Sequence, residues 1–385
     1  MSSPTVFTGA RLFDGETWHE DASLVVSGGK VVGISPSGSR PDGNVIDLGG
    51  ASIVPGFIDL QVNGGGGVML NDVQTVQSIA TICSAHARFG TTALLPTLIT
   101  DRIDITEATI AAGKAAVAAG VPGFLGLHLE GPHLSVARKG AHDPQLIRPM
   151  TGEDLARLLD AAGHFPVFMT TVAPENATLE QVSALAKAGV LVSLGHTDCG
   201  AATARSYARA GARAVTHLFN AMSQLGNREP GVVGAALEDG GLFAGLIADG
   251  FHVDPVSIRI ALSAKNGPGR IFLVTDAMSP IGTDMTSFTL NGRTIHRKDG
   301  RLTLEDGTLA GADIDMMASI RFMHSHLGLD LAEALRMASL YPAEAAGIAG
   351  RKGRLSAGYD ADLAILSPGL DVIGTWIGGE QVYRG

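Results

Sequence analysis

From Ser52 to Met278 the chain repeats one pattern, a short apolar, β-rich run that breaks at a polar tip. The runs are SIVPGFIDLQV, TTALLPT, FLGLHLEG, VFMTTVAPE, VLVSLGHT, AVTHLFN, LFAGLIAD and IFLVTDAM. Segments of helical character, such as VQTVQSIATICSAHARFG, DLARLLDAAG, LEQVSALAKAG and AATARSYARAG, lie between several of them. Runs this uniformly apolar are buried on both faces, as in a parallel sheet covered by helices. Eight strand-tip-helix units suggest closure into a (β/α)₈ barrel, whose chemistry sits at the C-terminal ends of the strands. The competing topology is an open, doubly wound sheet, which would place a phosphate-binding glycine turn before a helix. Gly64 to Gly67 follow the first run but carry neither a Walker lysine nor dinucleotide spacing.

Both ends of the chain read differently. TVFTGARLF, ASLVVSGGKVVGI and GNVIDLGG at the start, and GRLSAGYDADLAILSP and VIGTWIGGEQVYRG at the end, are short strands parted by glycine turns. Pairing them into one small β-sandwich leaves fewer exposed edges than two separate β appendages. The expected division is residues 1–53 and 352–385 for the sandwich and 54–351 for the barrel. A β-hairpin insertion is expected near 286–308, signalled by Asn291-Gly292, Asp299-Gly300 and Asp306-Gly307.

Composition narrows the partners. A formal charge of −10 without a basic run argues against nucleic acid. No apolar run approaches the roughly 20 residues of a membrane span. MSSPTVFTGARLFDGE lacks the basic start and apolar block of a secretory signal. Two cysteines, Cys83 and Cys199, make no disulfide framework. A reducing cytoplasm is therefore the expected compartment.

The polar tips carry the chemistry. The third run ends at Glu130, the fifth at His196, the sixth at His217 and the eighth at Asp276. Either histidine alone could be a satisfied core or capping residue, and Asp276 a helix N-cap. Two imidazoles in the same relative position, with one carboxylate, make a three-ligand set for a divalent metal with an open position. A carboxylate beside that position, Asp276, suits proton transfer to and from a hydrolytic water.

PGFIDLQVNGGGG, HLEGPHL, KGAHDP, GHTD, THLFNAM, REPG, ADGFHV, VTDAM and GYDADLAIL, in that order, closely resemble the N-acetylglucosamine-6-phosphate deacetylases of the amidohydrolase superfamily. The resemblance spans nearly the whole chain. It implies the barrel with its sandwich, and hydrolysis of the acetamide of N-acetyl-D-glucosamine 6-phosphate. It also implies metal ligation by Glu130, His196 and His217, with Asp276 as catalytic base and acid. His142 corresponds to the histidine that contacts the scissile carbonyl or the nearby sugar, and His252 to a substrate-binding histidine. Asn220 and Ala221 match phosphate contacts, and Arg228 the arginine that reaches a neighbouring subunit's phosphate in a homodimer. An arginine suits that role because its planar fork matches phosphate oxygens.

The departures from the wider superfamily bear on the metal count. Where many amidohydrolases carry His-x-His at the first strand tip, this chain has Gln61-Val62-Asn63, and amides are poor metal ligands. The fourth run lacks the lysine whose carbamate bridges two metals in hydantoinase-like relatives. One metal per subunit is expected, Zn²⁺ foremost, although a Glu/His₂ site also accepts Fe²⁺, Mn²⁺ or Co²⁺. His128 shares a strand face with Glu130 and is expected to support it rather than to ligate. Two readings remain beside the deacetylase. One is another amidohydrolase, acting on a different N-acylated sugar phosphate or a cyclic amide. The other is a barrel without catalysis, against which the full complement of Glu130, His196, His217 and Asp276 speaks.

Overall fold

In a computed structural model, which describes residues 3–36, 41–290 and 292–385, the apolar runs become eight parallel strands. They span Phe57–Val62, Thr91–Ile99, Gly126–Glu130, Val167–Val172, Leu191–Leu194, Ala214–Val215, Phe243–Leu246 and Ile271–Leu273, hydrogen-bonded in that order. Every residue in them is buried, which is why their sequences are apolar without alternation. Helices Val76–Ala87, Ile103–Ala118, Gly152–Ala162, Leu179–Lys187, Ala201–Ala210, Gly231–Glu238 and Pro255–Ala264 alternate with them. Local chemistry sets several helix starts. Thr151 with Asp154, and Thr178 with Gln181, form capping boxes, and Asp254 caps a helix opened by Pro255. The architecture is the expected (β/α)₈ barrel.

The barrel has a seam. Among the described residues no continuous ladder joins the eighth strand to the first. Closure comes just beyond the strand end, where Val62 pairs with Ala277 and Asp276 N–H donates to the Gln61 carbonyl at 2.9 Å.

The two ends of the chain meet as expected. Leu363–Leu366 pairs antiparallel with Ser52–Pro55, which joins Thr5–Phe13 on its other side. The resulting eight-stranded sheet folds over a core that includes Phe7, Leu12, Leu24, Ile53, Leu363 and Trp376. Phe7 and Trp376 meet edge to face at 5.4 Å, so residues from opposite ends of the chain share one sandwich interior.

The insertion is larger than a hairpin. Strands Ser287–Leu290, Arg293–Lys298, Arg301–Thr303 and Leu309–Ala312 form a four-stranded antiparallel sheet. Its third turn, at Asp306-Gly307, returns the chain toward the barrel, with Arg301 facing Ala312 and Thr303 facing Leu309. Asn291, of the first turn pair, lies outside the described residues. Phe288, Leu290, Ile295, Leu302 and Ala310 pack onto Met69, Ile99 and Met278 in a small core of their own.

Candidate active site

The C-terminal ends of the strands enclose a cavity of about 190 Å³. It is lined by Glu130, His142, His196, His217, Asn220, Ala221, His252 and Asp276, joined by Asn63 and by Leu290, Leu309 and Gly311 of the insertion. The structure thus gathers every predicted site residue except Arg228, which is exposed and does not line the cavity.

Sharp backbone turns aim several of these side chains. His196, His217 and Asp276 adopt left-handed φ angles of 47°, 29° and 51°, and Ala221 one of 49°. A residue with a Cβ adopts this region at a cost of about 1 kcal/mol or more, so its recurrence at one strand-end rim marks backbone held for a purpose. Gly140, with φ +55°, lets the loop after the third strand pass close over His196, 3.2 Å from where a Cβ would stand.

Glu130 Oε1 lies 3.2 Å from His196 Nε2 and 3.1 Å from His217 Nε2, and the two nitrogens are 3.1 Å apart. Three ligands around a tetrahedral metal at about 2.1 Å would be separated by about 3.4 Å, close to this triangle. His196 Nδ1 donates to the Arg138 carbonyl at 2.8 Å, so in the neutral ring the Nε2 lone pair faces the Glu130 carboxylate. Two lone-pair donors converging at that distance favour a cation between them, and the donor set fits a divalent metal. His217 has no comparable anchor, because its Nδ1 is buried without a partner among the described residues. Burial opposes charge on both Glu130 and His217. Contacts with His196 and then His217 outweigh it at Glu130, holding the carboxyl well below the usual range, and the contact with Glu130 raises His217.

His142 also brings a ring nitrogen within 4.8 Å of Glu130 and His196, which makes it a rival ligand. Its hydrogen bonds argue for another part. Thr100 N–H donates to His142 Nδ1 at 3.2 Å, so in the neutral ring the proton resides on Nε2, which is then a donor. The Thr100 hydroxyl adds a 2.7 Å contact to the same Nδ1. Burial, then the neighbouring His196, push the His142 pKa down to about 3, which keeps the ring neutral. A neutral N–H donor beside the ligand triangle suits a carbonyl oxygen better than a metal. His128 does not line the cavity, and its Nε2 lies 2.7 Å from the Thr171 hydroxyl rather than against Glu130.

Asp276 sits against the first strand. Asn63 Nδ2 donates to its Oδ1 at 2.6 Å, and Gln61 Nε2 donates at 3.2 Å to both Asp276 Oδ1 and Glu130 Oε1. The two amides therefore present hydrogens, not lone pairs, where His-x-His would ligate. Burial, then the charge of Glu130, raise the Asp276 carboxyl to about 6. A carboxyl poised there can both take and return a proton near neutral pH.

Some supporting groups were not singled out from the sequence. Thr100 fixes the His142 tautomer, the Arg138 carbonyl fixes that of His196, and Asp249 holds His252 at 2.6 Å. Asp249 lies within the ADGFHV motif, three residues before the histidine, and that spacing was the available signal for it.

A family model described as the amidohydrolase family matches residues 52–382. The N-acetylgalactosamine-6-phosphate deacetylase of Shewanella sp. (strain ANA-3) is 39% identical over 379 residues, 98% of this chain and 95% of that protein. The N-acetylglucosamine-6-phosphate deacetylase of Haemophilus influenzae is 37% identical over 364 residues, covering 94% of each. Among solved structures, the N-acetylglucosamine-6-phosphate deacetylase of Pasteurella multocida superposes with a TM-score of 0.95 at 34% identity, over 99% of this chain and 100% of that one. An aspartate-to-alanine variant of the Mycobacterium smegmatis enzyme, in complex with N-acetyl-D-glucosamine-6-phosphate, gives 0.92 at 32%, over 100% of both chains. The chain belongs to the amidohydrolase family, on the branch that holds the N-acetylglucosamine-6-phosphate deacetylases.

Proposed function

We propose that the protein hydrolyses N-acetyl-D-glucosamine 6-phosphate to D-glucosamine 6-phosphate and acetate, in amino-sugar catabolism and cell-wall recycling in the cytoplasm. The observation that carries this reading is the Glu130–His196–His217 triangle, with a raised carboxyl, Asp276, held beside it by two amide donors. Those three residues would hold one divalent metal, Zn²⁺ foremost, which would supply Lewis-acid polarisation of the carbonyl and acidification of water. His142 Nε2–H donates to the acetamide oxygen and stabilises the charge that grows there. Asp276 takes a proton from the attacking water and returns it to the nitrogen as the C–N bond breaks, so base and acid are one group. His252, steadied by Asp249, contacts the sugar, and Asn220 with the backbone at Ala221 receives the phosphate. Residues 54–351 carry this chemistry, and the sandwich of 1–53 and 352–385 buttresses the barrel.

The test is acetate release from the phosphorylated sugar. Turnover of N-acetylglucosamine 6-phosphate is expected to exceed that of unphosphorylated N-acetylglucosamine by about 100-fold or more in kcat/KM, because phosphate-binding groups are left unpaired by the neutral sugar. Equal rates would remove the phosphate site and the substrate class together. The Shewanella relative favours a second reading, in which the C4 epimer, N-acetylgalactosamine 6-phosphate, is the preferred substrate. Comparing kcat/KM for the two epimers decides between them.

Arg228 belongs to the same proposal. Exposed on its own subunit, it serves the phosphate of a partner in a homodimer. Arg228→Ala is expected to raise KM for the phosphorylated substrate with little change in kcat. Mixed dimers of Arg228→Ala with Asp276→Asn should recover part of the activity that each lacks. Strictly additive behaviour in such mixtures would show that the arginine does not act across an interface.

A further inference from the structure

Asp59 is fully buried in the first strand and does not line the cavity. Burial raises its pKa to about 7, so keeping it there is costly unless its contacts matter. Its partners lie on both sides of the seam. From the first strand, Gln61 N–H donates to Oδ1 at 3.2 Å. From beyond the eighth strand, the Thr275 hydroxyl donates to Oδ2 at 2.6 Å, and Thr275 N–H lies 3.3 Å from each oxygen. One side chain therefore spans the gap that no continuous backbone ladder crosses among the described residues.

The hydroxyl that Asp59 engages has a second duty. Thr275 Oγ1 accepts the Ala277 N–H at 3.3 Å, a bond that arches over the residue between them. That residue is Asp276, whose φ of 51° such an arch helps to impose. Because the Thr275 hydroxyl donates its hydrogen bond to Asp59, its oxygen keeps lone pairs free toward Ala277. The far side of the same turn is pinned by Asp276 N–H on the Gln61 carbonyl at 2.9 Å and by Ala312 N–H on the Asp276 carbonyl at 3.1 Å.

We propose that Asp59 and Thr275 are positioning residues, which lock the barrel seam and hold the strained turn that aims the Asp276 carboxylate. The inference rests on the reading of Asp276 as the proton carrier. It assigns Asp59 no contact with substrate. A purely structural clasp would set the stability of the barrel and leave turnover alone. A positioning clasp sets the rate of the proton-transfer step at unchanged substrate affinity.

Thr275→Val keeps the shape of the side chain and removes both hydroxyl bonds. In the metal-loaded enzyme it is expected to lower kcat between about ten- and a hundredfold, with KM within about twofold and metal content unchanged. Thr275→Ser, which restores the hydroxyl, should recover most of the loss. Asp59→Asn replaces one of two accepting oxygens with an NH₂ that must face a donor, and should lose kcat to a similar degree. The double variant should lose little more than either single one, since the two act through one bond. If Asp59→Asn does not fold, Thr275→Val and its serine rescue decide alone. Wild-type kcat in Thr275→Val with only a lower Tm would overturn the proposal, as would additive losses in the double variant. Asp276→Asn, measured in parallel, separates the two readings. If Asp276→Asn is inactive while Thr275→Val is normal, only the clasp fails; if Asp276→Asn is active, the proton carrier itself is misassigned.

Discussion

Asp276→Asn is expected to retain fold and metal content while turnover falls by about 10³-fold, because the amide can neither take a proton from water nor give one to the leaving amine. The substitution is nearly isosteric, and Asn63 and Gln61 remain to hold the side chain in place. Acetate release and metal analysis on the same sample check it, and near-normal turnover would refute the assignment. The pH dependence has a definite sign. The carboxyl, raised to about 6 by burial and by Glu130, works as a base only when ionised. Activity is therefore complete above that value and falls as pH drops through it. A bound cation favours the ionised form and moves the acid limb lower, not higher.

The second large effect concerns Glu130. Glu130→Gln removes the only negative charge of the triangle and sets a neutral amide, a poor metal ligand, beside the two facing imidazoles. Changes to groups that merely support a ligand weaken metal binding by about 10–100-fold, so loss of a charged ligand should reach at least the upper end. Dialysed Glu130→Gln protein should hold little metal and little activity, with partial recovery at high added Zn²⁺. The same measurement on His142→Asn separates the rival ligand sets. His142→Asn should keep its metal and lose rate, as expected of a hydrogen-bond donor to the carbonyl. Metal loss in His142→Asn with retention in Glu130→Gln would reverse the assignment.

The fold and the meeting of Glu130, His196 and His217 were legible because both depend on local sequence. Strand runs buried on two faces cannot hide their composition, and four of the eight lead directly to Glu130, His196, His217 or Asp276. The insertion was undercounted for a local reason too. Three Asx–Gly pairs mark three turns and hence four strands, more than the single hairpin read from them. What stayed illegible depends on contacts between distant segments. Thr100 sets the protonated nitrogen of His142 across 42 residues, and Asp59 meets Thr275 across 216. Nor does sequence reveal that His196, His217 and Asp276 take left-handed backbone, since none is glycine. Arg228 was legible only by resemblance, and a single chain gives it no part in the cavity.

The cavity wall formed by Leu290, Leu309 and Gly311 belongs to the insertion, whose apolar core is distinct from the barrel's. Chemistry and molecular shape are thus encoded in separable parts of one gene product. Mutational drift in the insertion can reshape the chamber beside the reacting group while the ligand triangle and Asp276 stay fixed. Substitutions at Leu290 or Leu309 are therefore expected to change the shape of the cavity without touching Glu130, His196, His217 or Asp276.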